Sequence, residues 1–203
     1  MNAQQIMEGD DFKRCEAFHG HVCGGLAIGY VAATAGLAWL QEQRALDEEL
    51  VAIVETDACG VDAIQVLTGC TLGKGNLIYK DYGKMGFTFF NRRTGKGVRL
   101  SMKPDTVRVN ERQIELFRKT RDGSITAAER EELSALGSQR TTEVLNTSAE
   151  ALFDITPVTT GLPDKARIEP SQPCSRCGEP TMASKLESVD GATVCRGCLA
   201  TPG

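Results

Sequence analysis

Phe18-His19-Gly20-His21-Val22-Cys23-Gly24-Gly25 opens directly onto a run of apolar and small residues that ends at Leu40. His19 and His21 are the only histidines in the 203-residue chain. Val22 to Leu40 carries no charge, and a run of that length approaches the roughly 20 residues of a membrane span. However, Gly24, Gly25, Gly29 and Gly36 and the interleaved alanines lower its hydrophobicity. A small-residue helix of that kind suits close packing inside a globular core, so residues 24–43 read as a buried helix, with no membrane association. Leu26, Tyr30, Leu37 and Leu40 mark its apolar turns.

Around that helix the periodicity sets the fold class. Upstream, Phe12, Cys15 and Phe18 fall at helical spacing over residues 8–18, so Cys15 reads as a small buried hydrophobe. Downstream, Leu50-Val51-Ala52-Ile53-Val54 is a β-branched run of buried-strand type. It stops at Glu55-Thr56-Asp57-Ala58-Cys59-Gly60, and residues 61–68 read as a helix. Leu77–Tyr79, Gly86–Phe90 and Val98–Met102 are further strands, the last two joined by a turn over 91–97. Residues 111–119 and 125–148 are amphipathic helices, the second opened by Thr126 three positions before Glu129, a capping box. Residues 149–155 read as a last helical turn. The class is α+β: a mixed sheet flanked by helices over residues 1–155.

Residues 156–171, with three prolines and scattered charges, read as a linker. Residues 172–203 then form a separate module. Cys174-x2-Cys177, seventeen intervening residues and Cys195-x2-Cys198 have the spacing of a four-thiolate structural zinc site. A module of about thirty residues is too small to fold on an apolar core, so zinc binding supplies its folding energy. With no open coordination position, no chemistry is expected there.

Composition excludes several functions. The apolar fraction of 41% and charged fraction of 25% are those of a globular protein. A net charge of −4 and 5% aromatics argue against a nucleic-acid surface. Within the C-terminal module Arg176, Lys185 and Arg196 are balanced by Glu179, Glu187 and Asp190, which favours protein contact over DNA. No basic segment followed by an apolar run opens the chain, so the expected location is the cytoplasm, where cysteines bind metal rather than pair as disulfides.

The first domain carries its own candidate site. In an extended segment His19, His21 and Cys23 point the same way. Cys23 and Cys59 each precede a helix, where the dipole favours thiolate. Two imidazoles and two thiolates suit zinc or another borderline-soft metal, and three ligands leave a position open for water or substrate. Cys59 and His21 are the candidate catalytic groups. Cys70 is a candidate third thiolate. Lys74 and Asn76, with the amides of the glycine-rich loop 69–76, are candidates for holding an anion or cofactor. Asp57 and Asp62 read either as partners of the metal ligands or as helix caps.

FHGHVCGGLAIGY, VETDACGVDAIQVLTGCTLGKGNL, DYGKMGFTF and CSRCGEP…VCRGC resemble the FmdE family of formylmethanofuran dehydrogenase subunits over nearly the whole chain. The resemblance implies an α+β domain, a treble-clef-like zinc module after a linker, and usually a homodimer. It also implies a metal site at His19, His21, Cys23 and Cys59. Gly24 departs from it, since the family commonly has proline there. The family name implies association with a molybdenum- or tungsten-pterin oxidoreductase, although nothing in these residues builds a pterin cavity. The expected function is a metal-binding accessory subunit of such an enzyme. The alternatives are a stand-alone metal- or thiolate-dependent enzyme on a small substrate and a zinc-finger metal or redox regulator.

Overall fold

In the computed structural model, which describes residues 1–107 and 109–201, the small-residue run becomes helix α3 (Gly24–Leu40). It follows α1 (Ala3–Glu8) and α2 (Asp10–His19). Leu26, Ala27, Ile28, Ala32 and Ala33 are all buried, and the helix ends where Gln41 turns left-handed. Among the described residues no helix is long and apolar enough to cross a membrane.

Five strands form one sheet in the order β2-β1-β3-β4-β5. They are β1 (Leu50–Val54), β2 (Leu77–Tyr79), β3 (Gly86–Asn91), β4 (Gly97–Met102) and β5 (Phe153–Val158). β1 and β2 are parallel and joined through α4 (Gly60–Thr68), while the other pairings are antiparallel. The sheet is therefore mixed and flanked by helices, as expected. The period of two divides β1 between the two faces: Leu50, Ala52 and Val54 enter the main core with Phe87 and Phe89, while Val51 and Ile53 pack with Phe90 on the other face.

Three further helices complete this domain: α5 (Glu111–Asp122), α6 (Ala127–Asn146) and α7 (Ala149–Leu152). Thr126 and Glu129 form the expected capping box of α6. α3 packs against α4, α6 and the β3–β4 hairpin, so the chain wraps around it. Two elements escape the sequence patterns. α1 is too short for a periodic signal and is held by a capping box between Asn2 and Gln5. β5 includes Thr156, Pro157 and Val158, residues whose composition reads as linker. Proline is tolerated there because β5 is the sheet's outer strand and its free edge needs no N–H donor.

The chain divides into two compact units, residues 1–165 and 166–203. The second holds two hairpins, β6 (Ser171–Pro173) with β7 (Pro180–Met182) and β8 (Leu186–Val189) with β9 (Ala192–Cys195), and a last short helix α8 (Arg196–Ala200).

Candidate metal centres

His19 is the last residue of α2, not part of an extended segment. Gly20 turns left-handed at φ 90° and reverses the chain, and Cys23 caps the N-terminus of α3. A helix end and a glycine turn thus do what extension was expected to do. One ligand atom each from His19, His21 and Cys23 lies within 4.8 Å of the others. The imidazole centroids are 4.4 Å apart. His19 Nε2 stands 3.8 Å from Cys23 Sγ, and tetrahedral zinc with ordinary bond lengths holds nitrogen and sulfur about 3.6 Å apart. The Cys23 sulfur also accepts the Leu26 amide at 3.4 Å, capping the helix N-terminus.

Asp62, in the first turn of α4, orients this cluster. Its Oδ2 lies 2.7 Å from His19 Nδ1. With Nδ1–H donating to that carboxylate, the Nε2 lone pair is the one turned toward Cys23, the arrangement in which a carboxylate fixes a metal-binding imidazole. Of the two readings open for Asp62, the structure supports the ligand-partner one.

Cys59 caps α4 and lies beside Cys23. A Cβ placed on Gly25 would be 3.6 Å from Cys59 Sγ and 3.8 Å from Cys23 Sγ. Burial, and then the neighbouring Cys23 sulfur, push the Cys59 thiol above its ordinary value, so they outweigh the helix dipole there. A cation between two sulfurs reverses the second effect. The residues that fit a borderline-soft metal are His19, His21 and Cys23, with Asp62 holding the imidazole; Cys59, also expected as a ligand, lies next to Cys23 but outside the group whose ligand atoms are all within 4.8 Å of one another.

Other candidates are placed elsewhere. Asn76 is fully buried, and its amide donates to the Asp47 and Leu50 carbonyls and accepts from the Thr71 amide. Lys74 Nζ donates to the same Asp47 carbonyl at 2.9 Å. Both residues therefore tie the glycine-rich loop to the segment entering β1 rather than facing a ligand. Cys70 is fully buried in the main core, its thiol raised by burial, and among the described residues it does not join the His19–His21–Cys23 group. Cys15 is fully buried as expected, its thiol pushed up to about 11 by burial.

Arg140, on α6, is a neighbour that sequence reading missed. Its Cγ, Cδ and Nε lie 3.3 to 3.4 Å from the position of a Cβ on Gly24, the residue after Cys23. Glycine at position 24 opens the space that the arginine stem fills. No local pattern announces this contact, because the two positions belong to distant helices.

In the C-terminal unit Cys174, Cys177, Cys195 and Cys198 converge, all four sulfurs within 4.8 Å of one another. Cys174 and Cys198 stand 4.0 Å apart between sulfurs, as do Cys177 and Cys195. A tetrahedral zinc with 2.3 Å bonds sets sulfurs about 3.8 Å apart, whereas a disulfide needs about 2.0 Å. The amides of Cys177, Cys195 and Arg176 bring the Cys174 thiol down to about 6, while the Cys195 and Cys177 sulfurs push Cys198 up to about 12. Four sulfurs this close share their protons unevenly through hydrogen bonds, and a divalent cation favours the thiolate form of all four. This cluster is a structural zinc site.

Residues 18–154 match the family described as FmdE, molybdenum formylmethanofuran dehydrogenase operon. Residues 167–201 match the prokaryotic DksA/TraR C4-type zinc finger. A probable S-adenosyl-L-methionine-binding protein of Archaeoglobus fulgidus is 34% identical over 183 residues, which is 86% of this chain and 49% of that protein. The chain thus spans about half the length of that relative. The crystal structure of a tungsten formylmethanofuran dehydrogenase FmdE-like protein from Syntrophus aciditrophicus shares the fold, with a TM-score of 0.62 and 21% identity over 99% of this chain and 94% of that one. The first domain, with its paired histidines and cysteines, belongs to the FmdE family, and a C4-type zinc finger follows it in the same chain.

Proposed function

We propose that the first domain holds a second metal ion through His19 Nε2, His21 and the Cys23 thiolate, with Cys59 as the fourth ligand, and that the chain serves as a metal-binding accessory subunit of a molybdenum- or tungsten-pterin oxidoreductase. The observation carrying the metal reading is the Asp62–His19–Cys23 relay, in which a 2.7 Å contact fixes the imidazole whose other nitrogen lies 3.8 Å from sulfur. Three helix ends converge there, with the N-termini of α3 and α4 behind the thiolates and the C-terminus of α2 behind His19. The dipoles favour anionic sulfur at the first two and positive charge at the third.

A bound zinc-class ion supplies Lewis acidity. The protein's own groups do the rest. Asp62 keeps the His19 proton on Nδ1. His21 is exposed, so it would be the metal-holding group open to solvent and could take a proton from a molecule bound beside it. Support for the accessory role is the family membership itself, together with a zinc finger whose closed coordination suits contact with a partner. The test is recovery of the tagged full-length chain from its native host. A pterin enzyme carrying molybdenum or tungsten should elute with it in stoichiometric amount, and an eluate free of both metals contradicts the accessory role.

A second reading has one observation in its favour, the relative named as a probable S-adenosyl-L-methionine-binding protein. On that reading the same centre binds a small molecule in a stand-alone protein. Saturable retention of labelled S-adenosyl-L-methionine by the purified chain in equilibrium dialysis supports it, and no retention removes it.

A further inference from the structure

We infer that Cys23 and Cys59 are a redox pair: a small disulfide converts the two thiols to an intramolecular disulfide, and that bond takes Cys23 away from the metal. The metal half of this inference rests on the reading of His19, His21 and Cys23 as a metal site. The disulfide half does not.

Three observations carry it. The first is proximity. All eight cysteines are free, and the Cys59 thiol donates a hydrogen bond to the Cys23 sulfur. Gly25 leaves no side chain beside the two sulfurs, where a Cβ would touch both. The second is the frame. Cys23 and Cys59 stand at the N-termini of α3 and α4. The two helices meet backbone to backbone there: a Cβ on Gly60 would lie 3.0 Å from the Gly25 carbonyl oxygen and 3.1 Å from the Gly29 nitrogen. This contact fixes the spacing of the two cysteine backbones, so side-chain rotation closes the gap from hydrogen-bonded sulfurs to an S–S bond of about 2.0 Å. The third is access. Cys23 and Cys59 are half-buried, whereas Cys15 and Cys70, the other cysteines of this unit, are fully buried. Thiol–disulfide exchange needs an accessible sulfur, which only the first two offer.

The exchange runs in two steps. The Cys23 thiolate attacks one sulfur of the small disulfide, whose S–S bond breaks. A mixed disulfide forms on Cys23 and one small thiolate leaves. Cys59 then loses its proton to solvent and attacks the Cys23 sulfur, and the second small thiolate leaves. The protein gives up two electrons and two protons, and one small disulfide becomes two thiols. A disulfide sulfur carries no negative charge and is a poor ligand beside a thiolate, so His19 and His21 are left without their anionic partner. Metal and disulfide are therefore alternative states of Cys23.

The test uses the full-length chain and glutathione disulfide. Metals are counted by elemental analysis before oxidation and again after desalting. Free thiols are alkylated under denaturing conditions, and linked peptides are mapped by mass spectrometry with fragmentation. Wild type should gain a Cys23–Cys59 link, with Cys15, Cys70 and the four finger cysteines still free to alkylate. Its metal content should fall from two per chain to one, the closed four-thiolate zinc being the ion that stays. Dithiothreitol followed by zinc should restore the second. Cys59→Ser lacks the second thiol and should stop at a glutathione adduct on Cys23. Wild type that stays unlinked, or that stops at the same adduct, overturns the pair. A link formed with both metals retained overturns its control of the metal. One metal per chain before oxidation removes the metal site and the metal half of the inference, while the link still decides the pair.

Discussion

Gly29 of α3 and Gly60 of α4 meet backbone to backbone: a Cβ on Gly29 would lie 2.0 Å from the Gly60 carbonyl oxygen. Gly60 directly follows Cys59, so this contact sets how closely the two thiolate-bearing helix ends approach. Gly29→Ala cannot be relieved by rotating a side chain, because the obstacle is backbone. Overpacking of this kind costs about 1–3 kcal/mol, less the roughly 1 kcal/mol alanine gains in a helix. The expected result is a lower melting temperature together with loss of the metal of the first domain. Gly137→Ala is the control. Nothing lies within 4 Å of a Cβ there, so the change should stabilise α6 by about 0.5–1 kcal/mol and leave metal content unchanged.

Asp62→Asn keeps the size of the side chain and removes the charge that fixes His19. Loss of such an orienting carboxylate typically lowers metal affinity about 10- to 100-fold. Competition against a chromogenic chelator measures this, and the zinc of the C-terminal finger should be retained throughout. An unchanged affinity in the first domain means that His19 Nε2 is not a ligand.

Acid should loosen the α5–α6 pair at a defined point. The Lys119 ammonium, and then the Thr126 amide, hold the Glu129 carboxyl down to about 2 from an ordinary 4.5. Because the folded-state value is the lower one, the stabilisation is complete above about pH 4.5 and is lost as pH falls toward 2. Glu129→Gln should flatten the stability profile across that interval, measured by chemical denaturation at several pH values, and leave its shape above pH 5 unaltered.

Metal removal should separate the two units. The C-terminal unit has few buried apolar side chains, Val194 among them, and Cys174 is itself buried. Cys195→Ser, or chelation, should therefore abolish protease resistance of residues 166–201 while the amide spectrum of the first domain persists. Simultaneous unfolding of both units contradicts this.

Much of this architecture is legible in the chain because its signals are local. Leu50–Val54 is a strand by β-branching, α6 starts where Thr126 and Glu129 form a capping box, and the spacing of Cys174, Cys177, Cys195 and Cys198 marks a zinc finger. What escapes depends on contacts between distant segments. β5 is a strand because β4 offers it an edge, register Leu100 to Ile155, although Pro157 argues for a linker. Lys74 and Asn76 look like anion ligands in a glycine-rich loop until the Asp47 carbonyl is found to take both donors. His19, His21 and Cys23 are legible as a group, but the Gly20 turn that gathers them is set by its left-handed φ, and Arg140 meets Gly24 only through the packing of α6 on α3.

The most direct measurement is metal stoichiometry by elemental analysis of the full-length wild type and of His19→Ala/Cys23→Ala. If the first domain holds its own ion, wild type contains two metals per chain and the double variant one, with the finger's zinc intact in both. One metal per chain in both proteins contradicts the account, leaving only the four-cysteine site occupied.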